Sequence, residues 1–154
     1  MRMVTITAAA MVLAGCATSQ PDATRLSDKE FDTQMTRMLA HQSRMQGTEL
    51  AKAIEAASAY PLGSKANPVR ASGPRGQRAY LARLRCADLS TPTFGRIGSA
   101  GMSPYDNIVD SYWVKCEGSD PETSEVFLDM YHAGYSEDAA IPGFGIAGGQ
   151  RSQD

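Results

Sequence analysis

The stretch "NIVDSYWVKC" (residues 107–116) alternates between two sets of side chains with a period of two. The more apolar set comprises Ile108, Asp110, Tyr112, Val114 and Cys116. The set between them comprises Val109, Ser111, Trp113 and Lys115. β-Branched and aromatic residues at this period favour a β-strand. The stretch therefore predicts a sheet in which Cys116 ends one of the strands.

Three other segments have the same period and predict further strands. "RAYLARLRC" (residues 78–86) places a second cysteine, Cys86, at the end of a strand, and "EVFLDMY" (residues 125–131) predicts another. "TFGRI" (residues 93–97) is a weaker fourth candidate. "PLGSKANPVRASGPRGQ" (residues 61–77), with three prolines and three glycines, predicts a loop.

The segment before this loop has helical periodicity. Ser27 and Glu30 form a capping box that starts a first helix, and "ELAKAIEAASAY" (residues 49–60) predicts a second. A stripe along the first helix contains Phe31, Met35, Met38, Leu39, Gln42 and Met45. This stripe fits packing on the sheet, and its methionines also suit an adaptable partner-binding face. We predict an α+β fold, with a helix or helix pair packed on a small antiparallel sheet of 3–5 strands.

The amino terminus has the composition of an export signal. Arg2 precedes an uncharged run of eleven residues, 4–14, which is too short to span a bilayer as a helix. Small residues then lead to the first of three cysteines, Cys16. The order Leu13-Ala14-Gly15-Cys16 resembles the lipobox of bacterial lipoproteins. The resemblance implies cleavage before Cys16 and acylation of that residue.

This resemblance defines the expected organisation and location of the chain. Residues 1–15 would be the signal peptide, 16–26 a lipidated tether, 27–147 a single periplasmic domain and 148–154 a flexible tail. The residue after Cys16 is Ala17 rather than an aspartate. In a diderm bacterium, the resemblance then implies lipid anchoring at the periplasmic side of the outer membrane.

Acylation of Cys16 leaves Cys86 and Cys116 as an even pair. Each ends a strand candidate on its more apolar face, and an exported pair is expected to oxidise. A disulfide would close a loop of about 30 residues and stabilise the fold by roughly 3–4 kcal/mol. A redox or metal role is the alternative, but the spacing matches neither C-x-x-C nor a zinc pattern.

Motifs for catalysis and cofactor binding are absent from the sequence. Only two histidines occur, and H-E-x-x-H, G-x-S-x-G and phosphate-loop patterns are missing. We predict no catalytic residues, no metal site and no cofactor. The alternative is a small envelope hydrolase that uses Asp110, Asp129 and His132. Against it, Asp129 would instead pair with Arg83 or Arg85 across the sheet.

Charge is distributed unevenly along the chain. Residues 60–116 carry eight basic and three acidic side chains, whereas residues 117–154 carry one and eight. Five arginines lie within residues 70–85, and arginine binds carboxylate and phosphate bidentately. We predict a binding face for an anionic envelope component or an acidic protein partner, composed of Arg83, Arg85, Trp113 and Lys115. Alternatively, the basic segment neutralises the acidic end of the same fold.

The domain itself carries a second, weaker resemblance. "NPVRASGPRGQRAYLARLRC" and "PYDNIVDSYWVKC" are similar to segments of small uncharacterised bacterial lipoproteins, a resemblance that implies no activity. The expected function is an accessory or binding role as a non-enzymatic, membrane-anchored lipoprotein. An inhibitor or immunity-type lipoprotein is a further alternative. The net charge of −2 gives no reason to expect a nucleic-acid partner.

Overall fold

The computed structural model describes residues 27–148. Its helices and strands, in chain order, are α1 (Asp28–Gln42), α2 (Gly47–Ala57), β1 (Val69–Ser72), α3 (Gly73–Arg83), β2 (Leu84–Arg85), β3 (Thr93–Met102), β4 (Ile108–Lys115), β5 (Thr123–Asp129), β6 (Tyr131–Ser136) and β7 (Gly145–Ile146). The predicted signal peptide, the tether and residues 149–154 of the predicted tail lie outside the described residues.

The principal sheet has five strands in the order β3-β4-β5-β1-β6. Only the β1–β5 pair is parallel, and the other neighbours run antiparallel. Strands β2 and β7 pair separately as a short antiparallel ribbon. The predicted α+β class, with helices on a mainly antiparallel sheet of 3–5 strands, is confirmed.

Helix α3 packs one face on the principal sheet and forms the core. Tyr80, Leu81 and Leu84 are buried against apolar side chains of the sheet. The strand residues in this cluster are Val69, Tyr112, Val114, Val126 and Leu128. Full burial of a large apolar side chain stabilises a fold by about 1.5–3 kcal/mol. This cluster therefore fixes α3 over β1, β4 and β5.

The prediction of a strand over residues 78–86 is wrong. Residues up to Arg83 belong to α3, and only Leu84 and Arg85 form a strand. The apolar residues in this stretch fit both periods. Gln77, Tyr80, Leu81 and Leu84 recur at helical spacing and are buried, and Pro74 lies in the first turn, where a helix tolerates proline.

Three other sequence predictions need correction. The predicted loop at 61–77 contains β1 and the start of α3, and the weak strand at 93–97 extends to Met102 as an edge strand. The predicted strand at 125–131 divides at Met130 into β5 and β6. This division places Asp129 at the end of β5 and His132 within β6.

The predicted disulfide between Cys86 and Cys116 is confirmed. Cys86 follows β2 and Cys116 follows β4, and their Cα atoms are 5.8 Å apart. Both cysteines are buried. The bond therefore links the two-stranded ribbon covalently to the principal sheet.

Helix α1 starts with the predicted capping box. The Ser27 side chain accepts from the Glu30 backbone N–H, and the Glu30 carboxylate accepts from the Ser27 N–H. Leu39 is buried and Met35 half-buried, both of them near Gly73. A Cβ at Gly73 would lie 3.1 Å from Met35 Cγ, and its φ of +69° also favours glycine. None of the helices described here is long and apolar enough to cross a membrane.

Candidate functional site

The end of β5 carries a fully buried carboxylate, that of Asp129. The Ser103 hydroxyl donates to its Oδ2 at 2.8 Å, and the Asn107 amide donates to the same oxygen at 3.1 Å. The backbone N–H of Tyr131 donates to Oδ1 at 3.0 Å. Asp129 therefore fastens the β3–β4 loop to the junction of β5 and β6.

His132 borders this carboxylate. Its Nε2 is buried, lies 3.5 Å from Asp129 Oδ2 and forms no hydrogen bond with the residues that the structure describes. The imidazole ring is nearly perpendicular to the Tyr105 ring, and their centroids are 5.1 Å apart. Burial alone would raise the pKa of Asp129, but His132 and the donors from Tyr131 and Ser103 lower it below its usual value. The Asp129 carboxylate is thus ionised at neutral pH.

The three residues of the hydrolase hypothesis are only partly brought together. Asp129 and His132 are neighbours, whereas Asp110 forms an ion pair with Arg96 at 2.6 Å. The hydroxyl nearest to Asp129 belongs to Ser103, which also accepts from the N–H groups of Tyr105 and Asn107. The hydrogen-bonding groups of Asp129 and Ser103 are therefore largely occupied by contacts within the domain.

Neither Ser103 nor Asn107 is among the residues that the sequence predicts to be functional, and Asn107 opens the stretch predicted as a strand. Serine and asparagine are typical turn formers because their side chains bond to nearby backbone groups. Here Ser103 does so, while both side chains also reach Asp129 from the other end of the loop. This turn-forming character is local, so it does not predict the contact with β5.

Asp129 forms no ion pair with Arg83 or Arg85, so that prediction is wrong. Arg83 instead donates to Asp138 at 3.0 Å and to the backbone carbonyl of Glu137. Arg85 donates to the carbonyls of Ala82 and Leu84. Both arginines belong to the end of α3 and to β2, outside the principal sheet.

The predicted binding face is not assembled as expected. Tyr112 points from β4 towards α3, where its hydroxyl donates to Gln77 at 3.0 Å. Trp113 therefore faces the opposite side of the strand and lies over Gly95, where an added Cβ would meet the indole at 2.6 Å. Lys115, on the same side as Trp113, pairs with Glu117 at 3.3 Å.

Trp113 and Lys115 therefore lie on the face of β4 opposite to α3, whereas Arg83 ends that helix and Arg85 follows it in β2. The alternative interpretation of the charge pattern finds direct contacts in the structure. Arg83 and Arg70, from the basic segment, pair with Asp138 and Glu137 from the acidic one.

Two neighbouring pockets lie beside α1 and the α1–α2 connection, and we call them together the arginine groove. Its first chamber, of about 450 Å³, lies between α1 and α3 and is bordered by Arg70, Arg75 and Arg78. Its second chamber, of about 340 Å³, lies beneath the α1–α2 connection and is bordered by Arg70 and His132. Arg70 and Tyr135 line both chambers.

Arg70 lies at the junction of the two chambers. Its side chain is 19% exposed, and its guanidinium lies 4.0 Å from the centroid of the Tyr135 ring and donates to the Tyr135 hydroxyl at 2.7 Å. The nearest carboxylate in the described chain, that of Glu137, is 4.0 Å away. An arginine has five N–H donors. Arg70 therefore retains donor capacity after its contacts within residues 27–148.

Tyr135 remains a neutral hydrogen-bonding partner in this arrangement. Burial raises the pKa of its hydroxyl, and the adjacent Arg70 charge opposes this only in part. The hydroxyl accepts from Arg70 and donates to Glu137 at 3.0 Å. Tyr135 thus orients the guanidinium beside the opening of both chambers.

The other two arginines of the groove are more exposed. Arg75 pairs with Asp28 at 3.3 Å and Asp32 at 3.2 Å, and it lies 5.2 Å from the centroid of Phe31. Arg78 is exposed and forms no ion pair within the described part of the chain. The arginine-rich sequence predicts an anion-binding surface, but its helical folding decides which arginines converge.

The site has no arrangement for a metal ion. Within residues 27–148, no group of three or more histidine, cysteine, aspartate and glutamate side chains is placed to hold one. Comparison of the chain with protein-family models, curated proteins and solved structures finds no match.

Proposed function

We propose that this chain is a lipid-anchored protein of the bacterial envelope that binds an anionic component in the arginine groove. The observation that carries the binding role is Arg70. It is a mostly buried cation whose nearest carboxylate is 4.0 Å away and whose remaining donors adjoin two chambers. Partial burial strengthens the attraction between a guanidinium and an incoming carboxylate or phosphate.

Two observations support an envelope location. The sequence around Cys16 resembles a lipobox, and acylation there would leave the remaining cysteines paired. Cys86 and Cys116 are bonded, which suits an oxidising compartment outside the cytoplasm. Two or more acyl chains hold a protein stably on a membrane, so the proposed lipid is a sufficient anchor.

Binding requires less rearrangement of the site than catalysis. A hydrolase would depend on the contact between His132 and Asp129, but Asp129 already accepts three hydrogen bonds from Ser103, Asn107 and Tyr131. Arg70 is oriented without occupying all its donors. The present geometry therefore favours a binding role over the hydrolase alternative.

The anchoring is tested by the Cys16→Ala variant expressed in a diderm host. We expect the unaltered chain to incorporate labelled palmitate and to fractionate with the outer membrane. The variant should lose the label, because the thiol that accepts lipid is missing. Export and disulfide formation without a label on the unaltered chain would contradict the anchor.

Ligand binding is tested on a mature chain from which the lipid is absent. The Cys16→Ser variant, exported with an ordinary signal, retains every described residue and needs no detergent. We expect titration calorimetry to detect binding of inorganic phosphate or citrate, with at least tenfold weaker affinity for Arg70→Gln. Arg37→Gln, an exposed substitution on α1 outside both chambers, is the matched control. Equal affinities of the two variants would contradict the assigned site.

A further inference from the structure

The two chambers of the arginine groove differ in their charges. The first is bordered by three arginines but also by the carboxylates of Asp32 and Glu137. Among residues 27–148, no carboxylate lines the second chamber, where Arg70 is the permanently charged group; Glu137, 4.0 Å from Arg70, lines only the first. An anion that enters beside Arg70 therefore meets less electrostatic opposition in the second chamber than in the first.

The walls of the second chamber are largely apolar. Met45, Leu50 and Ala133 contribute aliphatic surface, and the rings of Tyr131 and Tyr135 contribute aromatic surface. Methionine adapts to ligands of irregular shape. The volume of about 340 Å³ lies within the range of small-molecule sites, which typically occupy about 300–1,000 Å³. This chamber combines one cation with an apolar body, the complement of an amphiphilic anion.

We propose that the ligand is a small amphiphilic carboxylate, with its carboxylate against Arg70 and its aliphatic body in the second chamber. This inference rests on the proposed anion-binding function and specifies its ligand class. The guanidinium keeps its contact with Tyr135 and offers its remaining N–H donors to the carboxylate. Apolar burial against Met45 and Leu50 supplies selectivity over purely polar anions.

Straight-chain alkanoates test this assignment. Butanoate, hexanoate and octanoate are titrated into the unlipidated mature chain, with octan-1-ol as the neutral control. Each buried methylene should tighten binding about fourfold, because its transfer from water is favourable. Octanoate should therefore bind at least tenfold more tightly than butanoate and octan-1-ol. Octanol binding as tight as that of octanoate would overturn the role of Arg70.

Two substitutions at Leu50 distinguish the proposed amphiphilic ligand from anion binding in general. Leu50→Glu places a carboxylate in the chamber wall and should abolish the gain with alkanoate length, and it should also weaken phosphate binding because the new charge repels any anion beside Arg70. Leu50→Ala, which adds no charge, should reduce that gain only in part. If phosphate binds but alkanoate affinity does not depend on chain length, the assignment of an amphiphilic ligand is overturned and the proposed anion-binding function is retained. Absence of binding by both phosphate and octanoate would overturn both.

Discussion

Arg70 and Asp129 are direct neighbours in the parallel pairing of β1 and β5, yet their charges are used differently. Asp129 is fully buried and accepts from Ser103, Asn107 and a backbone N–H. Arg70 is 19% exposed and has one hydrogen-bonded side-chain partner, Tyr135, among the described residues. One charge is enclosed by the fold and the other adjoins open volume.

The extent to which neighbouring groups compensate a buried charge distinguishes a binding residue from a structural one. A buried charge costs free energy unless neighbouring groups compensate it. For Asp129 the compensation comes from the loop it fixes, which indicates a structural role. For Arg70 it comes from Tyr135 and from the Glu137 carboxylate at 4.0 Å, and N–H donors remain for a ligand. Both charges act on the hydroxyl of Tyr105. Burial raises its pKa, the Arg70 charge opposes that rise, and the Asp129 charge adds to it.

The largest expected effect comes from removing the enclosed charge. Asp129→Ala leaves the donors of Ser103, Asn107 and Tyr131 unpaired in a buried site. We expect a loss of about 3–5 kcal/mol in the free energy of unfolding, measured by urea titration.

The matched control for this variant is Asp106→Asn in the same loop. Asp106 has a φ of +57°, which asparagine also adopts, so this substitution removes the charge without backbone strain. Its side chain is 48% exposed and contacts Arg44 at 3.7 Å, so the loss should be less than about 1 kcal/mol. Equal losses for the two variants would show that Asp129 does not organise the loop.

The second prediction concerns the free energy of unfolding at acid pH. It distinguishes the contribution of the Asp129 charge from that of the side-chain shape. The pKa of Asp129 in the fold lies below its ordinary value of 3.8. Its ionisation therefore stabilises the fold fully above the unfolded-state pKa, and this stabilisation disappears as pH falls through the folded-state pKa. The stability difference between the unaltered chain and Asp129→Asn should narrow from pH 7 to pH 3.

Urea titrations at pH 7, 4 and 3 check this narrowing. The nearly isosteric amide retains one acceptor but places an –NH₂ where Asn107 donates. A difference that stays constant with pH would show that Asp129 titrates alike in the folded and unfolded chains.

The sequence predicted the fold class because its strongest signals are local. The period of two over β4, the capping box at Ser27 and the even cysteine pair each depend on a short stretch or on composition. The strand predicted over residues 78–86 is wrong because a short apolar segment fits both the strand period and the helix period. Burial against β4 then favoured the helix, and that contact is not visible in the segment itself.

The sequence predicted that the candidate site binds anions, but it did not predict which arginines form that site. An arginine-rich segment indicates anion binding, but the choice of Arg83 and Arg85 assumed that they lay on a strand. In the helix, Arg75 and Arg78 turn towards α1, while Arg83 reaches Asp138. Arg70 gave no stronger signal than its neighbours, because its burial arises from the pairing of β1 with β5 and β6.

The third prediction removes the other charge of the compared pair. Arg70→Gln loses a hydrogen bond to Tyr135, the stacking of the cation on its ring and the 4.0 Å ion pair with Glu137. We expect the free energy of unfolding to fall by about 1–2 kcal/mol, less than for Asp129→Ala. Phosphate or citrate binding should nevertheless weaken at least tenfold. A stability loss as large as that of Asp129→Ala would make Arg70 mainly a structural residue.

The smallest effect is expected at Arg75, which has more ion pairs than Arg70 but far greater exposure. Its side chain is 47% exposed, and its partners Asp28 and Asp32 are 92% and 55% exposed. Water screens such pairs, so Arg75→Gln should change the free energy of unfolding by less than about 1 kcal/mol. Urea titrations at low salt and at about 1 M salt, where the Debye length is about 3 Å, should give the same small difference or a smaller one at high salt. A larger loss than for Arg70→Gln would mean that the attachment of α1, rather than the burial of a charge, determines the stability of this region.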